Sequence, residues 1–238
     1  MESVKNKNIL IAGASGGIGA ATARLLSGSG ATVFLAGRNA EKLQALATTS
    51  NIPAERIFVA ELSDANEVNA MAAKVHAIIP QLDILINASG IGIIKPIEAL
   101  SSEDFIKTIN TNLVGSFFLV KAFLPKMKET KKGLIINIPG VLGKVPMAGA
   151  AAYSASKYGL VGMMQSIREE LKRTEIRITN LYLGGVDSPF WDAIDLRVQR
   201  EKMIQAEEAA KAIWFLCQQP VSGVVSEMVL QPFNHQAI

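Results

Sequence analysis

Along the chain, short and almost wholly apolar runs alternate with longer segments patterned like helices. The apolar runs are Ile9 to Ala12, Thr32 to Ala36, Ile57 to Ala60, Ile84 to Asn87, Gly133 to Ile138, Arg177 to Leu183 and Val224 to Leu230. Between them, residues 17–28, 39–48, 64–79, 101–130, 153–173 and 205–218 carry the helix pattern. Continuous apolar strands separated by helices predict a parallel sheet covered on both faces, the doubly wound α/β arrangement of about seven strands. Ligands in that arrangement bind beyond the carboxyl ends of the strands. No linker, repeat or low-complexity segment interrupts the alternation, so residues 1–238 read as a single domain. The longest stretch without a clear element runs from Gly184 to about Met203. It follows the carboxyl end of a strand, where a lid over a ligand is expected.

Composition narrows the function classes. A chain of 238 residues with 49% hydrophobic content is long enough to bury a large core, and by length alone fits one α/β domain as well as two small ones. Its 24 basic and 21 acidic residues are spread along the sequence and leave a formal net charge of +3, which gives no case for a nucleic-acid partner. The densest basic stretch, Lys126 to Lys132, contains Glu129 and reads as a solvated helix end. The only cysteine, Cys217, follows the apolar run Ala212 to Leu216, so a buried structural thiol is expected. His76 and His235 lack metal-ligand spacing and read as structural or solvated. The first residues, Met1 to Lys7, suit neither a signal peptide nor a membrane span, and the expectation is a cytoplasmic protein with no membrane attachment.

Candidate chemistry starts directly after the first strand, in Ala12-Gly13-Ala14-Ser15-Gly16-Gly17-Ile18-Gly19. Glycines in a strand-to-helix turn let the backbone approach a pyrophosphate, whose charge is held by exposed N–H groups at the positive end of the helix. Far downstream, Tyr153 and Lys157 are four residues apart on a predicted helix, which places both side chains on one face. An ammonium beside a phenol favours the ionised form, and brings a group with a pKa of about 10 closer to working pH. A tyrosine so placed serves as an acid or base.

The spacing Gly-x-x-x-Gly-x-Gly, with Ala12 where a threonine is usual, resembles the glycine motif of the short-chain dehydrogenase/reductase family. The other motifs of that family follow in order. Tyr153 and Lys157 resemble its catalytic Tyr-x-x-x-Lys; Asn87-Ala88-Ser89-Gly90 its Asn-Asn-Ala-Gly; Asn112 its helix asparagine; and Leu183-Gly184-Gly185-Val186-Asp187-Ser188 its Pro-Gly-x-Val-x-Thr cofactor segment. The resemblance covers nearly all of the chain and implies a Rossmann-type fold with a nicotinamide cofactor. It implies that Gly13, Ser15, Gly16, Gly17, Ile18 and Gly19 hold the pyrophosphate half. It implies further cofactor contacts from Asn87, Ala88, Ser89 and Gly90, from Tyr153 and Lys157, and from Gly184, Val186 and Ser188. By the same resemblance Tyr153 exchanges a proton with the substrate oxygen, Lys157 lowers its pKa and binds the nicotinamide ribose, and Asn112 holds a water that links the lysine to solvent.

Cofactor choice turns on Gly37 and Arg38 at the end of the second strand. An acidic residue there would bind a ribose 2′-hydroxyl, whereas an arginine offers a planar donor fork to a 2′-phosphate. NADP(H) is therefore expected over NAD(H), with Glu61 and Leu62 in the stretch that in the family meets adenine. One member of the catalytic set is missing, because the usual serine falls at Gly140. Two readings follow: a reductase in which water, a backbone N–H or a substrate group replaces the hydroxyl, or a cofactor-binding module without turnover. The matches at Tyr153, Lys157 and Asn112 favour the first. Phe190 and Trp191, with Ile91, Ile93, Val141, Leu142 and Met147, wall a pocket for a small apolar carbonyl or alcohol, or else pack in the core. The resemblance also implies a homodimer or homotetramer built on helices 101–130 and 153–173; Phe118, Ala122, Leu160, Met164 and Ile167 either supply their outward faces or face the chain's own sheet.

Overall fold

The computed structural model describes residues 2–220 and 222–234. Its main sheet has seven parallel strands: β1 (Asn8–Ala12), β2 (Thr32–Gly37), β3 (Ile57–Val59), β4 (Ile84–Asn87), β5 (Lys132–Asn137), β6 (Glu175–Leu183) and β9 (Glu227–Leu230). They lie in the order β3-β2-β1-β4-β5-β6-β9. Successive connections run outwards in one direction from β1 and in the other from β4. The loops after these two strands therefore diverge and open a crevice at their carboxyl ends.

The strands read as unbroken apolar runs because both faces of the sheet are covered. Leu10, Phe34, Leu85, Ile135 and Ile178 pack with α3 (Ala65–Ile78), α5 (Gly115–Thr130) and α6 (Ala151–Glu170). Their neighbours Ile11, Val33, Leu35, Ile86 and Ile136 pack on the other face with α1 (Gly17–Gly28), α2 (Ala40–Thr49) and α7 (Ala206–Leu216). No helix among the described residues is long and apolar enough to cross a membrane.

The segment expected as one helix over 101–130 is three pieces. The first, α4 (Ser102–Ile109), starts at Ser101, whose hydroxyl accepts the Asp104 N–H at 3.1 Å. A π-helical turn, Asn110–Val114, then widens the helix before α5 begins at Gly115. The buried Asn112 explains the widening. Its Oδ1 accepts the Ile91 N–H at 2.8 Å, and its Nδ2 donates to the Ile91 carbonyl at 2.9 Å and to Ser156 Oγ at 3.0 Å. The backbone bulges to deliver the amide into this three-way contact, a common use of π turns at functional sites.

Two further expectations need correction. Leu160 and Met164 do not face outwards: both are buried in the core beneath α6, because the stripe they share is the one facing the sheet. Phe118, Ala122 and Ile167 are partly buried against that core, and the large exposed apolar side chains of α4 to α6 are Phe105, Ile106, Phe117 and Tyr158. The stretch after Gly184 is not free of elements either. A two-residue parallel ladder pairs β7 (Val186–Asp187) with β8 (Ile204–Gln205), and two short 3₁₀ turns, Pro189–Ala193 and Arg200–Lys202, lie between.

Candidate active site

A cavity of about 900 Å³ follows the crevice at the carboxyl ends of the strands, from Arg38 at one end to Tyr153 and the 184–203 segment at the other. Its floor near β1 is built by glycines that admit nothing larger. Gly13 has φ +83°, and a Cβ on it would come within 2.7 Å of the Ala88 carbonyl and the Ser89 nitrogen. A Cβ on Gly19 would overlap the Gly13 carbonyl, so α1 sits directly on the turn. Gly16 caps α1 without a side-chain bond, the first turn has no acidic residue, and the N–H groups of Gly17, Ile18 and Gly19 find no acceptor among the described residues. An uncapped helix end with free N–H groups and a bare backbone cradle fits a pyrophosphate.

At the end of β2, a Cβ on Gly37 would lie 3.0 Å from Ser15 Oγ, so the turn and the strand meet there too. Beside it, Arg38 Nη1 lies 3.3 Å from Glu61 Oε2, and Ser63 donates to Glu61 Oε1 from its N–H and its hydroxyl. Burial pushes the Glu61 carboxyl up, but the Ser63 hydrogen bonds and the Arg38 charge outweigh it and hold the group below its ordinary value. Leu62 completes this wall, with Asn39 and Lys42 from the start of α2.

At the other end, α6 brings Tyr153 and Lys157 to the cavity wall together, with Lys157 Nζ 5.5 Å from the centre of the Tyr153 ring. The ammonium donates to the Ile138 carbonyl at 3.3 Å. A Cβ on Gly90 would lie 3.2 Å from Asn112 Oδ1 and 3.3 Å from Lys157 Nζ, so these two side chains converge on that glycine. The electrostatic consequence differs from the one expected of the spacing. Burial pushes the Tyr153 phenol well up and lowers Lys157 to about 8. Desolvation dominates because the lysine is only 3% exposed and itself costly to charge. Since the folded state disfavours the ammonium, Lys157 destabilises the fold most below about pH 8, and the penalty fades as pH rises towards the unfolded value of 10.5.

Asn87 and Asn112, by contrast, do not line the cavity. Asn87 lies behind it, accepting the Ser89 hydroxyl at 2.6 Å and donating to Ser116 Oγ at 2.8 Å, which fixes the loop that carries Ser89 and Gly90. Apart from Ile91 and Ile93, all the other residues singled out for the site lie on the cavity wall, Gly184, Val186 and Ser188 included.

Gly140 also lies on the wall, at φ +70° and ψ 171°, a region of backbone space that is essentially glycine's alone. It opens a 3₁₀ turn, Val141–Gly143, and the N–H groups of Val141 and Leu142 have no acceptor among the described residues. Val141, Leu142, Met147, Phe190 and Trp191 line the cavity; Ile94 does so in place of Ile91 and Ile93. The Phe190 ring lies 5.8 Å from that of Tyr153, and Trp191 meets Phe190 edge-on at 5.3 Å. Sequence reasoning missed Leu196, Met203 and Pro232, which close the same end from segments without a motif.

The remaining candidates lie elsewhere. Burial pushes the Cys217 thiol up to about 12, in keeping with a structural role. His76 is held below its ordinary value by burial and packs its ring 5.5 Å from Phe123. His235 lies outside the described residues. No group of side chains suited to a metal ion occurs among the described residues.

Comparison with known proteins agrees with this architecture. Residues 7–198 match the family model described as short chain dehydrogenase. An uncharacterized oxidoreductase of Staphylococcus epidermidis is 31% identical, the match covering 98% of this chain and 100% of the relative. A 3-oxoacyl-(acyl-carrier-protein) reductase of Rickettsia conorii is 34% identical over 96% of each chain. Among solved structures, a metagenomic short-chain oxidoreductase in complex with NADP is 32% identical with a TM-score of 0.83, covering 97% of this chain and 99% of that one. An alcohol dehydrogenase from the archaeon Thermococcus sibiricus, complexed with 5-hydroxy-NADP, is 26% identical with a TM-score of 0.86, covering 98% of this chain and 100% of that one.

Proposed function

The chain belongs to the short-chain dehydrogenase/reductase family, and from that premise we propose that it is an NADP(H)-dependent oxidoreductase that interconverts a small apolar carbonyl compound and its alcohol. The observation that carries this reading is the placement of Tyr153 and Lys157 on the wall of the cavity whose other end is the glycine cradle and Arg38. When bound, the nicotinamide supplies or accepts hydride. Tyr153 exchanges the proton with the substrate oxygen. Its high pKa keeps the phenol protonated at neutral pH, as an acid for carbonyl reduction must be. Lys157 holds the cofactor ribose and stays anchored near the phenol by its hydrogen bond to the Ile138 carbonyl. The apolar side chains of Val141, Leu142, Met147, Phe190 and Trp191 exclude water from the reacting groups and select an apolar substrate. Gly140 favours a second reading, a cofactor-binding module without turnover, because no hydroxyl stands there. A screen of aldehydes, ketones and secondary alcohols, followed by the absorbance of the reduced nicotinamide, separates the two. Tight cofactor binding with no turnover across the panel would favour the module.

Cofactor choice rests on Arg38. Replacing it by alanine is expected to weaken NADPH binding about 10- to 100-fold, the scale of one charge-assisted contact, while NADH binding changes by less than about twofold. Calorimetric titration with both cofactors checks this, and equal losses for the two would remove the argument for a 2′-phosphate site.

Self-association is the second proposal. Phe105, Ile106, Phe117 and Tyr158 leave a broad apolar surface on α4 to α6, which a second copy of the chain would cover. Light scattering at micromolar concentration should therefore give the mass of a dimer or tetramer. A monomer mass would refute it.

A further inference from the structure

We propose that Arg200 is the latch of the 188–199 lid, and that it governs substrate binding by keeping Phe190 seated in a slot over Tyr153. This deepens the oxidoreductase reading and rests on it for its kinetic half.

The slot is made by Gly92. Its backbone is open to any residue, yet a Cβ there would overlap the Phe190 ring and lie 3.1 Å from Ile194 Cδ1. Phe190 therefore puts the tip of its ring against the Gly92 backbone, with the ring near Tyr153 on one side and edge-on to Trp191 on another. Trp191 is itself fixed by its indole N–H, which donates to the Val186 carbonyl at 2.9 Å. The lid meets the nucleotide end as well, since a Cβ on Gly17 would lie 2.7 Å from Ser188 Cβ.

The polar ties of this segment are concentrated on one side chain. Arg200 Nε donates to Asp187 Oδ1 at 2.6 Å, Nη1 to Asp192 Oδ1 at 2.6 Å and Nη2 to the Ser188 carbonyl at 2.8 Å. Asp187 lies in the ladder at the neck of the loop, Ser188 at its root, and Asp192 in the 3₁₀ turn that carries Phe190 and Trp191. A guanidinium fork thus joins three points that span the segment. Exposed ion pairs taken singly contribute little, but a planar donor set satisfied at three acceptors loses little further freedom per bond. Apart from the seated Phe190, the Trp191 indole bond and the buried Ile194, the lid has few ties. Pro189, Ala193, Asp195, Leu196, Arg197 and Gln199 are exposed, and a loop of low contact density opens at small cost once its tie is cut. An open lid unseats Phe190 and lets water onto Tyr153. Arg200 is thus a positioning residue, acting through Phe190 and Ser188.

Trp191 reports the lid directly once Trp214, the other tryptophan, is replaced by phenylalanine as a background. In that background Arg200→Met should shift Trp191 emission to the red and raise its quenching by acrylamide severalfold. Asp192→Asn, which cuts one exposed arm of the fork and leaves the core untouched, should move both in the same direction by less. Gly92→Ala keeps the fork but blocks the slot, and should give the same optical change as Arg200→Met. On a substrate of the parent protein, KM should rise about tenfold in Arg200→Met, with kcat within about threefold, the scale of one lost charge-assisted contact. Arg200→Lys should recover only part of it, since an ammonium cannot reproduce the fork. Unchanged emission and quenching in both Arg200→Met and Asp192→Asn would overturn the latch. Shifted emission with unchanged KM would overturn its role in substrate binding. Absence of any turnover would sink the oxidoreductase reading, and the latch would then stand or fall on the optical measurements alone.

Discussion

Replacing Tyr153 by phenylalanine is expected to lower turnover of any carbonyl that the parent protein reduces by about 10²- to 10⁴-fold, the usual contribution of a positioned acid. Stability and cofactor affinity should scarcely change. The substitution removes one hydroxyl and keeps the ring, so the 5.8 Å contact with Phe190 and the 5.5 Å contact with Lys157 survive. Phenol and phenyl have nearly the same volume, so no cavity forms in the wall. The loss should appear in kcat and not in KM, because the proton moves only as the carbonyl oxygen gains charge. Steady-state kinetics on the best substrate of the panel, with calorimetric titration of NADPH on the same preparation, measures both halves. A variant that keeps more than about a tenth of the parent rate would show that the proton comes from elsewhere, and Tyr153 would lose its assigned role.

Gly140→Ser is expected to destabilise the protein by about 1–3 kcal/mol and to leave turnover unchanged or lower. On sequence grounds alone, this change restores the family's hydroxyl, and a single missing oxyanion donor is worth about 10²–10³ in rate. The backbone argues otherwise. At φ +70° and ψ 171°, a side chain strains the residue whatever the surrounding space, and the nearest atom to a Cβ, the Leu183 carbonyl oxygen at 3.4 Å, is in ordinary contact. The cost is therefore conformational, with no clash to relieve. If the loop relaxes to escape it, Val141 and Leu142 move with it. Ile138, whose carbonyl accepts the Lys157 hydrogen bond, lies two residues upstream and is joined to Gly140 only by the rigid Pro139. Thermal unfolding should show a lower midpoint by roughly 2–12 °C. A Gly140→Ser protein as stable as the parent and 10²-fold faster would show instead that the site lacks only a donor.

What the sequence disclosed, and what it withheld, follows from how each feature is encoded. The central strands were legible because burial on both faces makes them largely apolar runs, as in β1 and β4. The glycine turn was legible because only glycine survives at Gly13 and Gly19, where a Cβ would meet backbone. Tyr153 and Lys157 were legible from helical spacing taken together with the glycine turn and the other motifs of the family. The π turn was not legible, since the composition of 101–130 stays compatible with one helix and the cause, a pairing of Asn112 with Ile91, comes from outside the segment. Leu160 and Met164 could not be placed because spacing defines a stripe without saying which side the sheet lies on. Gly140 was visible as a missing serine, but its dihedral angles were not, and they decide whether a serine can return. The lid was located by its position after β6, and its means of closure, three bonds from one arginine, leaves no periodic trace.

The wide turn at Asn110–Val114 also fixes a phase. A π turn holds one residue more than the α-helical turn it replaces, so everything before it is offset by one residue, or about 100° of rotation, relative to α5. Deleting that residue would regularise the helix and withdraw Asn112 from Ile91. It would also swing the whole of Ser102–Ile109 about its axis, turning the exposed Phe105 and Ile106 relative to Phe117. The hydrogen bonds of a buried asparagine and the placing of exposed apolar side chains are thus set by the same count of residues, and an insertion or deletion in the turn displaces both.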